Sequence, residues 1–536
     1  MRRRSVAKQA MNAAAAAPAS GPRMTRRHVL GLAAAGGAAA IGALAARPRP
    51  AVAQSTAKPG PELVVGFSID PGHMDPRVEA GVPGWSIFHH MHDPMIWRDE
   101  RSATILPWLV LRWEQVNPTT TRWTLRKGVK FHNGEDFTSE VVKATFEQYT
   151  AAMRSPFRTQ LNAVKHFKIT DAHTIDLITD HPNRPLLRNA TQGNALSPRA
   201  IKELGDRYAT TPVGTGQMKF VEYRPGQHVV MEANPSYWGR KSSFSRLRFR
   251  FIPENGTRLA ALETGEVMMI NNVPPDQVAR LRGNPNLQVL ASPSNRVMFV
   301  TIRTDRKPFT DKRVRQALNY AIDREALTKG LLGGTAPISR APLPSAVYGF
   351  HDGLTPYKYD PELAKKLLAD AGAGGATFNF GAPNGRYLMD KQIGEAIAGY
   401  LEAVGLKVVF ENPAWSTFVS EVTKFEKAKY DGYLFGWGVG SGEPDQLMGE
   451  HFHSANTRRT MHANAEVDRL LVDARESFDD ARVRADYRKA QEILWDECPW
   501  IWLYEQPDML AISKKLKGFT GRRDEYMLFW NASLEG

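Results

Sequence analysis

The chain of 536 residues has a single cysteine, Cys498, so no internal disulfide can form and the fold must be held by its core. A lone Cys followed by Pro499 and Trp500 fits a small buried apolar residue better than a nucleophile. No 18-residue stretch after position 54 is apolar enough for a helical membrane span. The chain also lacks a G-x-S-x-G elbow, an H-E-x-x-H pair and a P-loop, and its 14 histidines form no spaced catalytic set. Acidic residues are absent from positions 1–53, which hold nine of the 70 Lys and Arg. Without that segment the charge falls from +14 to 61 basic against 56 acidic residues, thinly spread. No nucleic-acid partner is expected, because such binding needs clustered charge.

The basic N-terminal segment has the order of an export signal. Residues 24–54 run through Arg26-Arg27, then Val29 and Leu30, a mild Gly/Ala-rich stretch, and Ala51-Val52-Ala53-Gln54. A basic start, an apolar middle and an A-x-A site are the parts of a cleaved leader. The paired arginines resemble the twin-arginine motif. Cleavage is expected between Ala53 and Gln54, placing the mature chain in the periplasm. The other reading is an Ala-rich tail that is never removed. No cysteine follows the site, so no lipoprotein anchor is expected. Met24 is a candidate start alongside Met1.

The mature part alternates strands and helices. Leu63–Ile69 reads as a buried strand ending at Asp70-Pro71-Gly72. Trp123–His132 has a hairpin pattern before Asn133-Gly134, and 214–232 has another around Pro225-Gly226. Arg258–Thr264 and Asp311–Leu332 read as helices, the second opened by an Asp311 cap. Further helices are expected at 361–371, 390–404, 467–476 and 481–495. Strands are expected at 247–252, 296–302, 378–380, 407–410 and 500–504. This order predicts an α/β fold with a largely parallel sheet. The length suggests two or three domains.

Several segments in sequence resemble the solute-binding proteins of ABC importers, family 5, the peptide/nickel-binding type. They are WTLRKGVKFHNG from Trp123, PVGTGQMKFVEYRPGQHVVMEANPSYWG from Pro212, IPENGTRLAALETGEV from Ile252, KPFTDKRVRQALNYAIDR from Lys307, and Tyr430–Trp437 with Pro444. The resemblance implies a type II periplasmic binding protein fold, with two hinged lobes and an added third domain. Lobe I would comprise 61–100, 211–303 and 506–536, the added domain 101–210, and lobe II 304–505, with crossings near Arg303 and Tyr504. It further implies a small-molecule or peptide-like solute, delivery to the membrane subunits of an ABC permease, a monomer, and no enzymatic activity, cofactor or metal. A secreted hydrolase with a dispersed triad, or a metal or haem carrier of the same fold, are the alternatives.

Trp415 and Trp437 follow or end strands, where α/β folds place ligands. They either line the pocket, as the resemblance implies, or pack the core. The glycines of Gly436–Gly442 lack the spacing of a nucleotide loop. Gly438, Val439 and Gly440 would instead bring backbone close to a ligand. In peptide-binding members of the resembled family an Asp three residues after the pocket Trp takes the solute's α-amino group. Here that position is Gly440, which points away from free-amine peptides. Glu443 is the nearest acid. Arg386, with Tyr387, follows a strand and can pair with a carboxylate or phosphate or stay solvated. Phe157 matches a pocket Tyr from the added domain. His89, His90, His92, His451 and His453 are the metal candidates by residue type, but a structural role fits them better.

Overall fold

A computed structural model describes residues 60–78, 81–99, 104–152 and 161–535. Arg26, Arg27, the Ala53/Gln54 step and Phe157 lie outside the described residues.

One ten-stranded sheet organises the backbone, in the order Lys407–Glu411, Thr377–Gly381, Gly432–Gly438, Leu287–Thr301, Trp500–Ser513, Met269–Ile270, Glu62–Phe67, Arg246–Phe251, His228–Ala233, Met218–Arg224. Glu62–Phe67 is parallel to both of its neighbours, and Thr377–Gly381 to both of its own. The sheet is nevertheless mixed, with four parallel and five antiparallel pairings, so the largely parallel sheet expected from the sequence is found only locally, around these two strands, because the two long joining strands and the 218–251 meander pair antiparallel. Two long strands join the ends. Leu287–Pro293 pairs with Pro507–Ser513, and Val297–Thr301 with Trp500–Glu505, the register breaking between Pro293 and Val297. Met269–Ile270 pairs with Ala511–Ile512, and Gly432–Gly438 with Arg296–Val300. The register of this joining pair is thus broken at 293–297, opposite 505–507, and Arg303 lies beyond the strand end.

Local chemistry explains most elements. Leu63, Val65 and Phe67 are buried to within 1% of full cover, so the first strand is set by its apolar face. The Glu254 carboxylate accepts from the Gly256 and Thr257 amides and starts the helix Asn255–Glu263, one turn earlier than the expected Arg258. Asp311 caps Lys312–Tyr320 as expected, accepting from the Arg313 amide. That helix stops at Tyr320, and the backbone is helical again from Arg324 to Leu331, one residue before the expected end, so the expected helix is interrupted at 321–323. The Asp323 side chain accepts from the Ala326 amide and restarts the backbone as a short helix, Arg324–Ala326. Local capping has overridden the apolar periodicity. The Trp123 strand also differs from its expected hairpin. Thr120–Leu125 lies in a separate four-stranded sheet between Val110–Asn117 and Thr174–Thr179, not against 129–132.

Three apolar clusters fill the space around the sheets. One joins the four-stranded sheet to the 62–67 end and includes Trp85, Trp123 and Phe249. A second packs Ile270, Val300, Leu318 and Phe380 on one face. A third holds Phe299, Tyr433, Tyr487 and Trp500. The buried Cys498 belongs to the interior, its thiol pushed up to about 12 by burial, which suits an inert packing residue.

Candidate functional site

The Gly432–Gly438 strand, paired on both sides within the sheet, carries Tyr433, Phe435 and Trp437 at alternate positions. Trp437 is half-buried there, and its indole N–H donates to the Gln446 carbonyl at 3.2 Å. The indole nitrogen thus already has a partner, and the ring faces are what it offers a ligand. His451 meets it edge-on, with 4.4 Å between ring centroids. Phe435 joins Trp437 to Trp415, each 6.3 Å away between centroids. Trp415 is the first residue of the helix Trp415–Val422 and is also half-buried.

The loop before Asp390–Ala403 completes this group. The Asp390 carboxylate accepts from the amides of Gly385, Arg386, Tyr387 and Lys391 at 2.8–3.1 Å, fixing the loop. Tyr387 is buried and donates its hydroxyl to the Gly436 carbonyl at 3.2 Å. The Arg386 guanidinium lies 4.9 Å from the Tyr387 ring centre and 5.4 Å from that of Trp415. Four expected residues, Trp415, Trp437, Arg386 and Tyr387, therefore share one aromatic group with a guanidinium on it.

Gly438, Val439 and Gly440 continue the strand toward other segments. A Cβ at Gly438 would stand 3.2 Å from Arg296 Nη2. Val439 is fully buried, its amide donating to the Asn295 carbonyl at 2.9 Å. The Gly440 carbonyl accepts from Arg98 Nη2 at 2.8 Å. Glu443, the nearest acid in sequence, is wholly buried against Arg184 at 3.2 Å and Arg188 at 3.7 Å. Burial pushes its carboxyl up to about 7 against the pull of those arginines. Its carboxylate is already taken up by these two arginines.

Several polar residues at the site were not anticipated. Arg459 lies 4.9 Å from the Phe435 ring centre and 6.0 Å from that of Trp437. Arg296 holds Glu525 with two nitrogens, at 2.8 and 2.9 Å, and gives a third bond to the Gly436 carbonyl at 3.1 Å. Gln506, Asp508 and Glu525 line a narrow cavity with Arg386, Ser68 and Asn271. Its volume, about 20 Å³, is room for a water. A wider groove of about 560 Å³ runs between the helix Asn255–Glu263 and Met389 and Gln392. The only sequence hint was charge and amide groups interrupting the apolar run 500–512.

The histidines have structural surroundings. His89, His90 and His92 are buried on Val82–Met91 and just after it, and burial lowers them to about 3, 4 and 4. His90 Nδ1 bonds the Ser86 carbonyl and its Nε2 accepts from the Phe529 amide. No group of three or more His, Cys, Asp or Glu among the described residues is placed to hold a metal ion.

Comparison with known proteins identifies the fold and the family. The chain is 30% identical to the glutathione-binding protein GsiB of Pectobacterium atrosepticum, over 76% of this chain and 82% of that one. It is 25% identical to the probable D,D-dipeptide-binding periplasmic protein DdpA of Escherichia coli, over 87% and 92%. Among solved structures, the periplasmic binding protein DppA of Helicobacter pylori in complex with the peptide STSA superposes with a TM-score of 0.83 at 25% identity, covering 89% of this chain and 98% of that one. The expected periplasmic-binding-protein fold is thus present. Residues 104–459 match the profile of the bacterial extracellular solute-binding proteins, family 5 (middle region), and the chain belongs to that family of ABC-importer receptors.

Proposed function

We propose that this receptor captures a peptide-like or related small polar solute in the periplasm, closes two lobes over it and delivers it to the membrane subunits of an ABC permease. The observation that carries the reading is the meeting of Trp415, Trp437, Tyr387 and Arg386, from three chain segments, at strand ends beside the other half of the sheet. Flat ring faces next to a guanidinium suit a solute with amide or aliphatic surface and a carboxylate. Glutathione, a D,D-dipeptide and the peptide STSA, named for the similar proteins, are of this class.

In this reading lobe I is 61–100, 211–303 and 506–536, the added domain 101–210, and lobe II 304–505. The two crossings then lie within or next to the long paired strands Leu287–Thr301 and Trp500–Ser513. Export follows the twin-arginine route with cleavage between Ala53 and Gln54, and the receptor works as a monomer. A cavity of about 20 Å³ admits no solute until its walls separate, which calls for a hinge. The test is X-ray scattering and calorimetric melting with a panel of peptides and amino-acid conjugates. A binding solute is expected to lower the radius of gyration and raise the melting temperature by mass action. A tightly bound solute that changes neither removes the hinged-receptor mechanism.

A further inference from the structure

Where Gly440 offers no acid, the narrow cavity that Arg386 lines has two, Asp508 and Glu525, with Asp524 next to Glu525 in the chain. Asp508 lies on Trp500–Ser513 just after the register break, opposite Ser292. Glu525 and Asp524 come from the C-terminal segment. The ion pairs are unevenly shared. Arg296 takes Glu525 through 2.8 and 2.9 Å bonds. Arg522 takes Asp524 at 2.6 and 2.8 Å, with Arg98 at 3.9 Å. Asp508 has neither a hydrogen-bond donor nor an ion-pair partner among the described residues.

A second observation is independent of charge. Gln506 is only 4% exposed and lines the same cavity, and its amide oxygen has no hydrogen-bond partner among the described residues. Its backbone is held, since the carbonyl accepts from the Ser294 hydroxyl. A buried acceptor left unmatched costs on the order of 1–3 kcal/mol, so a donor supplied by a ligand would relieve it. Glu525 also adopts φ +63°, a conformation uncommon outside glycine that marks functional sites. Burial and the neighbouring Glu525 and Asp524 push the Asp508 carboxyl well above the usual range, against Arg296, so this cavity disfavours a second bare anion.

We infer that Asp508, with the Gln506 amide oxygen as second acceptor, is the anchor for a cationic nitrogen of the solute, an ammonium or guanidinium group. This rests on the receptor reading above and names the charge class within it. Arg386 lines the same cavity and supplies the complementary site for a carboxylate, so the solute is a compact zwitterion. The acid lost at position 440 is thereby replaced by one from the joining strand.

The experiment uses a panel of amino-acid conjugates and di- to tetrapeptides, each paired with its N-acetylated form, titrated calorimetrically into the mature receptor. The variants are Asp508→Asn and Gln506→Leu, with melting curves in the absence of solute as folding controls. Free amines are expected to bind at least tenfold tighter than their acetylated partners. Asp508→Asn should weaken them by about 100-fold, the scale of removing one partner of a buried charge pair. Acetylated forms should be nearly unaffected, and Gln506→Leu should show a smaller loss with the same selectivity. If solutes bind but acetylation is neutral, or both variants keep the amine preference, the anchor is overturned and the receptor reading stands. If no member of the panel binds the wild type, the peptide-like reading fails, and the anchor with it.

Discussion

Gln192 occupies the space that a side chain on residue 440 would need. A Cβ built on Gly440 would lie 2.8 Å from Gln192 Oε1 and 2.9 Å from the Tyr526 hydroxyl. The same glycine's carbonyl is held by Arg98. Three segments far apart in sequence thus close over this point, and the absence of an acid there has a steric reason as well as a chemical one. Gly440→Asp is expected to destabilise the fold seen here by about 1–3 kcal/mol through overpacking, and not to improve amine binding. Denaturant titration with calorimetry checks both, and tighter amine binding at unchanged stability would contradict the packing account.

Trp437 and Trp415 should carry affinity through their faces. Because the Trp437 N–H already donates to Gln446, Trp437→Phe is expected to keep most of the binding, while Trp437→Ala loses about 2 kcal/mol, the scale of a buried aromatic anchor. Trp415→Ala should also weaken binding and loosen Arg386, which lies over that ring. Calorimetry on the three variants decides it. Equal affinity across the series would move the pocket off this strand.

Acid should unfold the protein through its buried imidazoles. His89, His90 and His92 sit at about 3, 4 and 4 in the fold, below the ordinary 6.5, so they are neutral when folded and take up protons on unfolding. Their contribution is complete above pH 6.5 and is lost as pH falls toward 4, at about 1.4 kcal/mol per pH unit for each. His89 has no partner for either ring nitrogen among the described residues and packs between Trp85, Trp97 and Tyr526. His89→Phe is therefore expected to flatten this slope by one histidine's share. Chemical denaturation between pH 4 and 7 measures it, and parallel curves for the two proteins would refute the assignment.

Export should depend on the paired arginines. Changing Arg26 and Arg27 to Lys is expected to leave the precursor in the cytoplasm, and N-terminal sequencing of the exported wild type should begin at Gln54. Normal export of the variant would exclude the twin-arginine route.

The sequence made the fold legible because its local signals are strong. Apolar runs such as Leu63–Ile69, the Asp311 cap and the aromatic strand before Gly438 each predict their element without tertiary help. The aromatic part of the site was legible for the same reason, since Trp415, Arg386 and Trp437 all stand next to recognisable strands. Its polar floor was not. Arg296 and Glu525 meet from positions 229 residues apart, and Asp508 stands out only because Glu525 and Asp524 have ion-pair partners while it has none among the described residues. Nothing in a local window distinguishes it from a solvated strand-end acid. The Asp311–Leu332 helix is broken at 321–323 for a different reason, because one aspartate, Asp323, reset the backbone where periodicity alone saw continuity.

The two long strands give the joint a mechanical character. They are hydrogen-bonded to each other on both sides of the register break, with Pro293 and Pro507 facing each other at its edge. Such a joint is a flexure rather than a swivel. In the hinged reading it would bend along one compliant line while its ladder resists sliding and torsion, so the two halves would return to the same alignment each time they meet. A solute anchored on residues of the flexure itself, at 506 and 508, would sit on the line of bending. Its presence would then be felt as a change in stiffness before either wall had moved far.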